Sequence, residues 1–332
     1  MAQASDSSTG IKASALWCED RATYAIRSER VVPATNEMAV TTTCSLISRG
    51  TERLVAEGRV PVSEMDTMRC PHQAGTFPFP VKYGYAAVGC DPAGRRVFAL
   101  YPHQDRFALA ADALQPVPDA VPDVRAALAA NMETALTILW DSGVGPGDTV
   151  LVVGCGVVGA LVARLCARVA GVRVTVCDTN LARRDVAHAL GAAFATPDAA
   201  PADVDVAIHT SANPAGLATA IQAAGVEARV VEASWYGAGT QQVPLGGRFH
   251  ARRLALISSQ VGRIPATRAA RWTHGRRLQT ALTLLDDPCL DTLLTHRIAF
   301  ADAPTALPAL LTDPSALAII LDYQKDFSHV RP

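Results

Sequence analysis

The sequence predicts an α/β fold in two parts, a barrel-like β domain followed by a doubly wound parallel sheet. Three observations carry this. The first third of the chain holds short β-branched stretches separated by turns, and many short strands between turn signals predict an all-β or barrel-like domain. From Val124 onward, continuous apolar stretches alternate with stretches of helical spacing, the rhythm of βαβ units and a parallel sheet. A glycine step, GCGVVG at 154–159, falls between one such strand and one such helix.

Each element follows from local chemistry. The N-terminus, MAQASDSSTG, is small and polar; it lacks the apolar core of a signal peptide, and residues 1–12 are expected to be disordered. AVTTTCSLIS (39–48) alternates and is β-branched, as a strand requires. RRVFALY (95–101) is a second strand, opened by the turn DPAG (91–94). VRAALAANMETALTILWDSG carries apolar residues at helical spacing and stops at Gly143. TVLVVG (149–154) is a buried strand, VGALVARLCARVAG (158–171) a helix ended by Gly171, and VRVTVCD (172–178) the next strand. ARRDVAHALGA gives another helix, and ADVDVAIHTS and ARVVEASWYG further strands. Arg271, Trp272, Arg276 and Arg277 are expected to decorate a helix surface. The closing stretch (279–332) gives one helix, TALTLLDD, and a last strand, LAIILDY.

Composition excludes several functions. The 332 residues hold 30 basic and 31 acidic side chains, a net charge of −1. With no Lys/Arg-rich block, nucleic acid is not an expected partner. No apolar run reaches the ~18 residues of a membrane helix, so no membrane is expected either. The eight cysteines show no C-x-x-C spacing; free thiols in a reducing cytoplasm are expected rather than a disulfide framework.

The glycine step carries the most specific chemistry. It fits G-x-G-x-x-G, follows a strand and opens a helix, and the next strand closes on an acid, Asp178. In that context the pattern reads as a dinucleotide site. Gly154 permits the tight turn, Gly156 lets backbone approach a pyrophosphate, and Gly159 lets the helix pack on the strand. The helix N-terminus offers free N–H groups and a positive dipole end to the phosphates. Asp178 can accept both ribose hydroxyls of NAD and would repel a 2′-phosphate. Arg183 and Arg184 follow closely, leaving some tolerance for NADP.

With that domain second, the whole chain after about residue 12 resembles the medium-chain dehydrogenase/reductase superfamily of the zinc alcohol dehydrogenase type. The matching segments are SLISRGTE (45–52), VKYGYAAVG (81–89), ETALTILWDSGVGPGDTVLVVGCGVVG (133–159) and the Asp178 strand. The SRGTE variant is similar to the branch near bacteriochlorophyllide dehydrogenases. The resemblance implies a GroES-like domain over 13–130 and 279–332, a Rossmann domain over 131–278, and a homodimer paired through the edges of its Rossmann sheets near VVEAS or LALISS. It places Thr134, Val157, Val158 and Ser211 with the cofactor. It also implies that the metal is lost. VKYGYAAVG stands where the family has G-H-E-x-x-G, so Tyr85 replaces a zinc-binding His and Ala86 a Glu. The first ligand position falls on Ser48 or Arg49, the third on Ala130. The four-cysteine structural zinc lobe is missing. No zinc is expected, since a catalytic site needs three protein donors plus water.

Without zinc, oriented donors must stabilise the developing alkoxide. Tyr85 is such a donor, or merely fills the vacated position. Thr51 matches the family's proton-relay hydroxyl. Glu52 follows it and is either chemical or a structural cap. His103 is the natural acid–base group of the set, or a surface residue at a hairpin edge. Ser48, Arg49 and Tyr101 are expected in the substrate pocket. His250 and Arg252 join them there as anion-binding groups, or belong to a solvated basic turn. The reading is a zinc-independent, NAD(H)-preferring oxidoreductase interconverting a small-molecule alcohol and its ketone or aldehyde. Its rivals are an NAD(P)H-dependent quinone or enone reductase and a non-catalytic nucleotide-binding protein of the same fold.

Overall fold

The first strand, Ile11–Asp20, buries Ala13, Ala15 and Trp17 on one face and Leu16 and Cys18 on the other. In this computed structural model residues 10–324, apart from Ala238, are described. Residues 1–9 of the expected disordered lead lie outside the described residues, whereas Ile11 and Lys12 already belong to that strand. The described chain divides into two compact units, one made of residues up to Ala129 together with those from Leu294, the other spanning Ala130–Leu293.

The first unit is organised by the long strand Glu37–Ile47. It pairs antiparallel with Ala87–Cys90, Arg106–Ala110 and the returning strand Ile319–Asp322. Gly89 is required there, because a Cβ on it would stand 2.4 Å from the Thr41 carbonyl oxygen. Leu16, Ile47, Ala56, Phe300, Leu307 and Leu321 make one core of this unit. The return begins at Leu294 rather than at residue 279, the expected boundary.

The second unit opens with helix α1 (Ala129–Ser142). Six parallel strands follow: β1 (Thr149–Val153), β2 (Arg173–Cys177), β3 (Ala193–Ala195), β4 (Val204–His209), β5 (Ala224–Glu232) and β6 (Ala255–Ser258). Their spatial order is 3-2-1-4-5-6, the doubly wound order whose strand direction of travel reverses beside β1. Leu151, Val153, Ile221 and Val230 lie in its core. Helix α2 (Val157–Ala167) links β1 to β2. β6 is an edge strand and β5 is interior, so of the two segments expected at a sheet edge only LALISS is there.

Residues 279–293 stay with this unit for a physical reason. Helix α3 (His274–Leu284) is longer than expected and buries Leu278, Ala281 and Leu282. Arg277, expected on a surface, is buried within it. Its guanidinium donates to Glu133 (2.9 Å) and Thr137 (3.1 Å) on α1 and to the carbonyl of Val261 (2.7 Å). Of its expected companions on the surface, Arg276 is exposed and lies over the half-buried Trp272.

Candidate active site

In the second unit, β1 ends at Val153 and the chain turns at Gly154 with φ +102°, a conformation that suits glycine. A Cβ on Gly154 would stand 2.9 Å from the Ser211 nitrogen, and one on Gly159 only 2.0 Å from the Gly154 carbonyl oxygen. Nothing lies within 4 Å of the corresponding position on Gly156. Two glycines are therefore demanded by packing, and the third faces open space, where a ligand's phosphates could approach the backbone. Gly156 caps α2 with no side-chain bond to the helix. The first-turn N–H groups, including those of Val157 and Val158, are left for an anion.

Asp178 follows β2 and is held by the loop itself. Its carboxylate accepts from the Cys155 N–H (2.7 Å) and the Asn180 N–H (2.8 Å). These bonds leave further lone pairs for a ribose. Burial pushes the Cys155 thiol up to about 12, so it remains an inert packing group. The residues present fit a dinucleotide.

Other expected residues are placed differently. Arg183 is buried beside Cys155, whose thiol it partly stabilises as thiolate; the exposed Arg184 lies over the Phe194 ring instead. The Thr134 hydroxyl bonds back to the Ala130 carbonyl within its helix. His250 and Arg252 precede β6 and so lie at the amino ends of the parallel strands, whereas ligands of open α/β sheets sit at the carboxyl ends. Arg252 is engaged there by Asp203 (3.0 Å) and the Ala224 carbonyl. Neither belongs to the expected pocket.

The first unit gathers the expected proton-handling residues around the short helix Arg49–Ala56. Tyr85 is half-buried, and the hydroxyls of Ser48 and Thr51 bond its phenol oxygen. Burial is the larger effect and raises its pKa to about 12, so the phenol keeps its proton and is a donor at neutral pH. Behind it, Glu52 accepts from the Ser48 N–H (2.7 Å) and meets His103 Nε2 (3.0 Å). His103 is fully enclosed rather than at a hairpin surface. The enclosure explains Gly84: its φ is +120°, and a Cβ would stand 2.7 Å from the His103 ring.

Two members of this chain escaped the sequence reading. His103 Nδ1 meets Ser45 Oγ (2.8 Å), which meets the Tyr323 phenol (2.9 Å). The contacts run in an unbroken line from Glu52 through His103 and Ser45 to Tyr323. A small cavity of about 10 Å³, lined in part by Glu52, His103, Tyr24 and Cys18, adjoins the pair; it has room for about one water. Tyr101 stacks between Phe107 and His72. Arg49 donates to the Ala316 carbonyl and is committed to the fold.

Among the described residues no three His, Cys, Asp or Glu side chains converge to hold a metal. The positions matched to zinc ligands carry Ser48 or Arg49, Tyr85 and Ala130. That donor set does not fit a catalytic zinc.

No protein-family model matches the chain. Solved structures do. One, a short chain alcohol dehydrogenase from Escherichia coli CFT073 complexed with NADH, superposes with a TM-score of 0.75 at 17% identity, over 95% of this chain and 100% of that one. A 2R,3R-butanediol dehydrogenase from Bacillus subtilis gives 0.73 at 18%, over 94% and 100%. The fold is that of the medium-chain dehydrogenases/reductases. In this fold the first unit is the GroES-like β domain and the second the Rossmann domain. A candidate NADPH:quinone reductase from Bacillus thuringiensis shares it, at TM-score 0.72 and 17% identity over 95% and 100%. One further site was invisible in the sequence. His209 and Glu232 end β4 and β5 opposite each other; the only signal was an ionisable residue closing each apolar strand.

Proposed function

We propose that this chain is an NAD(H)-dependent oxidoreductase that interconverts an alcohol and its ketone or aldehyde without zinc. The observation that carries the proposal is the place of the Tyr85 phenol, bonded by Ser48 and Thr51 where the resembling family holds a zinc ligand. When bound, the nicotinamide supplies or takes the hydride. Gly154, Gly156 and Gly159 let the backbone close on the pyrophosphate, the N–H groups of Val157 and Val158 bind it, and Asp178 accepts from the ribose.

Tyr85 then donates to the substrate oxygen as negative charge develops there. The Ser48 and Thr51 hydroxyls stabilise the phenolate left behind, since both lower the Tyr85 pKa against burial. Glu52 ties down the start of the helix bearing Thr51, and His103 holds Glu52. A phenol raised to about 12 is protonated at neutral pH, the form from which it gives its proton in carbonyl reduction. The wider reading is a homodimer paired through β6, in the cytoplasm, where thiols stay reduced.

The rival quinone or enone reductase is supported by the likeness to the Bacillus thuringiensis protein, a candidate NADPH:quinone reductase by name. Asp178 favours NADH, because its carboxylate would repel a 2′-phosphate. Calorimetric titration is expected to show NADH binding more tightly than NADPH. Asp178→Ala should narrow that gap by roughly ten-fold, ~1.4 kcal/mol. Tighter NADPH binding would contradict the cofactor assignment and favour the rival.

A further inference from the structure

At the carboxyl edge of the Rossmann sheet, around one buried histidine, lies a polar cluster that the scheme above leaves unused. His209 closes β4 and is fully enclosed. Its Nδ1 faces both carboxylate oxygens of Glu232, at 3.0 and 2.8 Å, from the paired position on β5. Its Nε2 meets the Ser211 hydroxyl at 2.6 Å. Glu232 is further fixed by the Ser234 N–H (2.7 Å) and the Tyr236 phenol (3.0 Å). Hydrogen bonds from His209 and Ser234 hold the Glu232 carboxyl below its usual range although burial opposes them, so it is ionised and an acceptor. Helix Pro214–Ala223 carries Gly216 where a Cβ would stand 2.4 Å from Ser211 Oγ and 2.7 Å from His209 Nε2.

These contacts set the proton directions once the imidazole is neutral. In the neutral ring, Nδ1–H donates to the ionised Glu232, and Nε2 keeps its lone pair. The Ser211 hydroxyl must then donate to Nε2, and its oxygen keeps only lone pairs for any ligand. Ser211 also abuts the glycine loop, its nitrogen 2.9 Å from where a Gly154 Cβ would stand. We propose that His209 and Glu232 are positioning residues that orient Ser211 as a hydrogen-bond acceptor for a ribose hydroxyl of the dinucleotide. The inference rests on the cofactor reading above and extends it to a device outside the glycine motif.

Glu232→Gln tests it with little change in shape. A Gln carbonyl can still accept from Nδ1, but its amide can donate there instead and move the imidazole proton to Nε2. Ser211 then receives a hydrogen bond and becomes a donor. Nitrogen-15 histidine spectra of the unliganded protein should show Nδ1–H for His209 in the wild type and a shift toward Nε2–H in Glu232→Gln. Calorimetry should show NADH binding about ten-fold weaker in Glu232→Gln, with the NADH-to-NADPH ratio set by Asp178 unchanged. In a Ser211→Ala background the Glu232→Gln change should have no further effect on NADH affinity. A purely structural pair would weaken binding equally in both backgrounds. An Nε2–H tautomer in the wild type, or NADH affinity unaltered in Glu232→Gln, overturns this inference and leaves the cofactor reading standing. A wild-type chain that does not bind NADH overturns both.

Discussion

Tyr85 keeps its proton because burial outweighs the two hydroxyls that stabilise its phenolate. With a pKa of about 12 the donor form persists through neutral and mildly alkaline pH. Tyr85 should therefore impose no fall in carbonyl reduction between about pH 7 and about pH 10. Tyr85→Phe removes the donor and keeps the ring, so turnover should drop by roughly 10²–10³. NADH affinity should stay the same, since the glycine loop is built from separate residues. Stopped-flow reduction rates together with NADH titration check both halves. Normal turnover in Tyr85→Phe would reduce Tyr85 to a filler of the vacated position and pass its role to Thr51.

At the scale of elements, Arg277 pins α3 to α1 and to the segment after β6. A buried charge so placed is costly to disturb. Removing one member of a buried pair typically costs ~3–5 kcal/mol. Burial already pushes the Glu133 carboxyl above its usual range, so it can take up a proton when its partner is lost. Arg277→Met should accordingly destabilise the chain by about 3 kcal/mol, the low end of that range, seen as a lower urea midpoint. A loss under about 1 kcal/mol, as for a surface pair, would show that α3 is held by its apolar face alone. The sequence hid this residue because its acid lies 144 positions away. Arg271, Trp272, Arg276 and Arg277 read as one basic helix face, and only tertiary packing separates the buried member from the exposed ones.

For the whole molecule, β6 presents an unpaired edge with Leu256 39% exposed, and edges of this kind are usually covered or paired. The proposed homodimer covers it. Light scattering should give twice the chain mass, and Leu256→Lys, which charges that edge, should give the monomer. A single-chain mass for the wild type across a wide concentration range would dispose of the dimer.

The fold was legible at this scale because its signals are local. β1, the glycine turn and α2 follow one another within GDTVLVVGCGVVGALV, where Gly154 turns the chain with a positive φ and Gly159 lies against the Gly154 carbonyl. The proton-handling cluster was legible only by name. Tyr85, Thr51, Glu52 and His103 could be nominated, but the enclosure of His103 depends on Ser45 and Glu52, 58 and 51 positions away. Tyr323 stands 278 positions from its partner. His250 and Arg252 misled because polarity near a strand does not reveal which end of that strand it occupies.

The central claim is chemistry by Tyr85 without a metal. It is tested most directly by reduction of a panel of ketones with NADH, using protein stripped by a strong chelator and shown by elemental analysis to hold far less than one zinc per chain. The account predicts that turnover is the same before and after stripping and gains nothing from added zinc. Turnover that disappears on stripping and returns with zinc would contradict it.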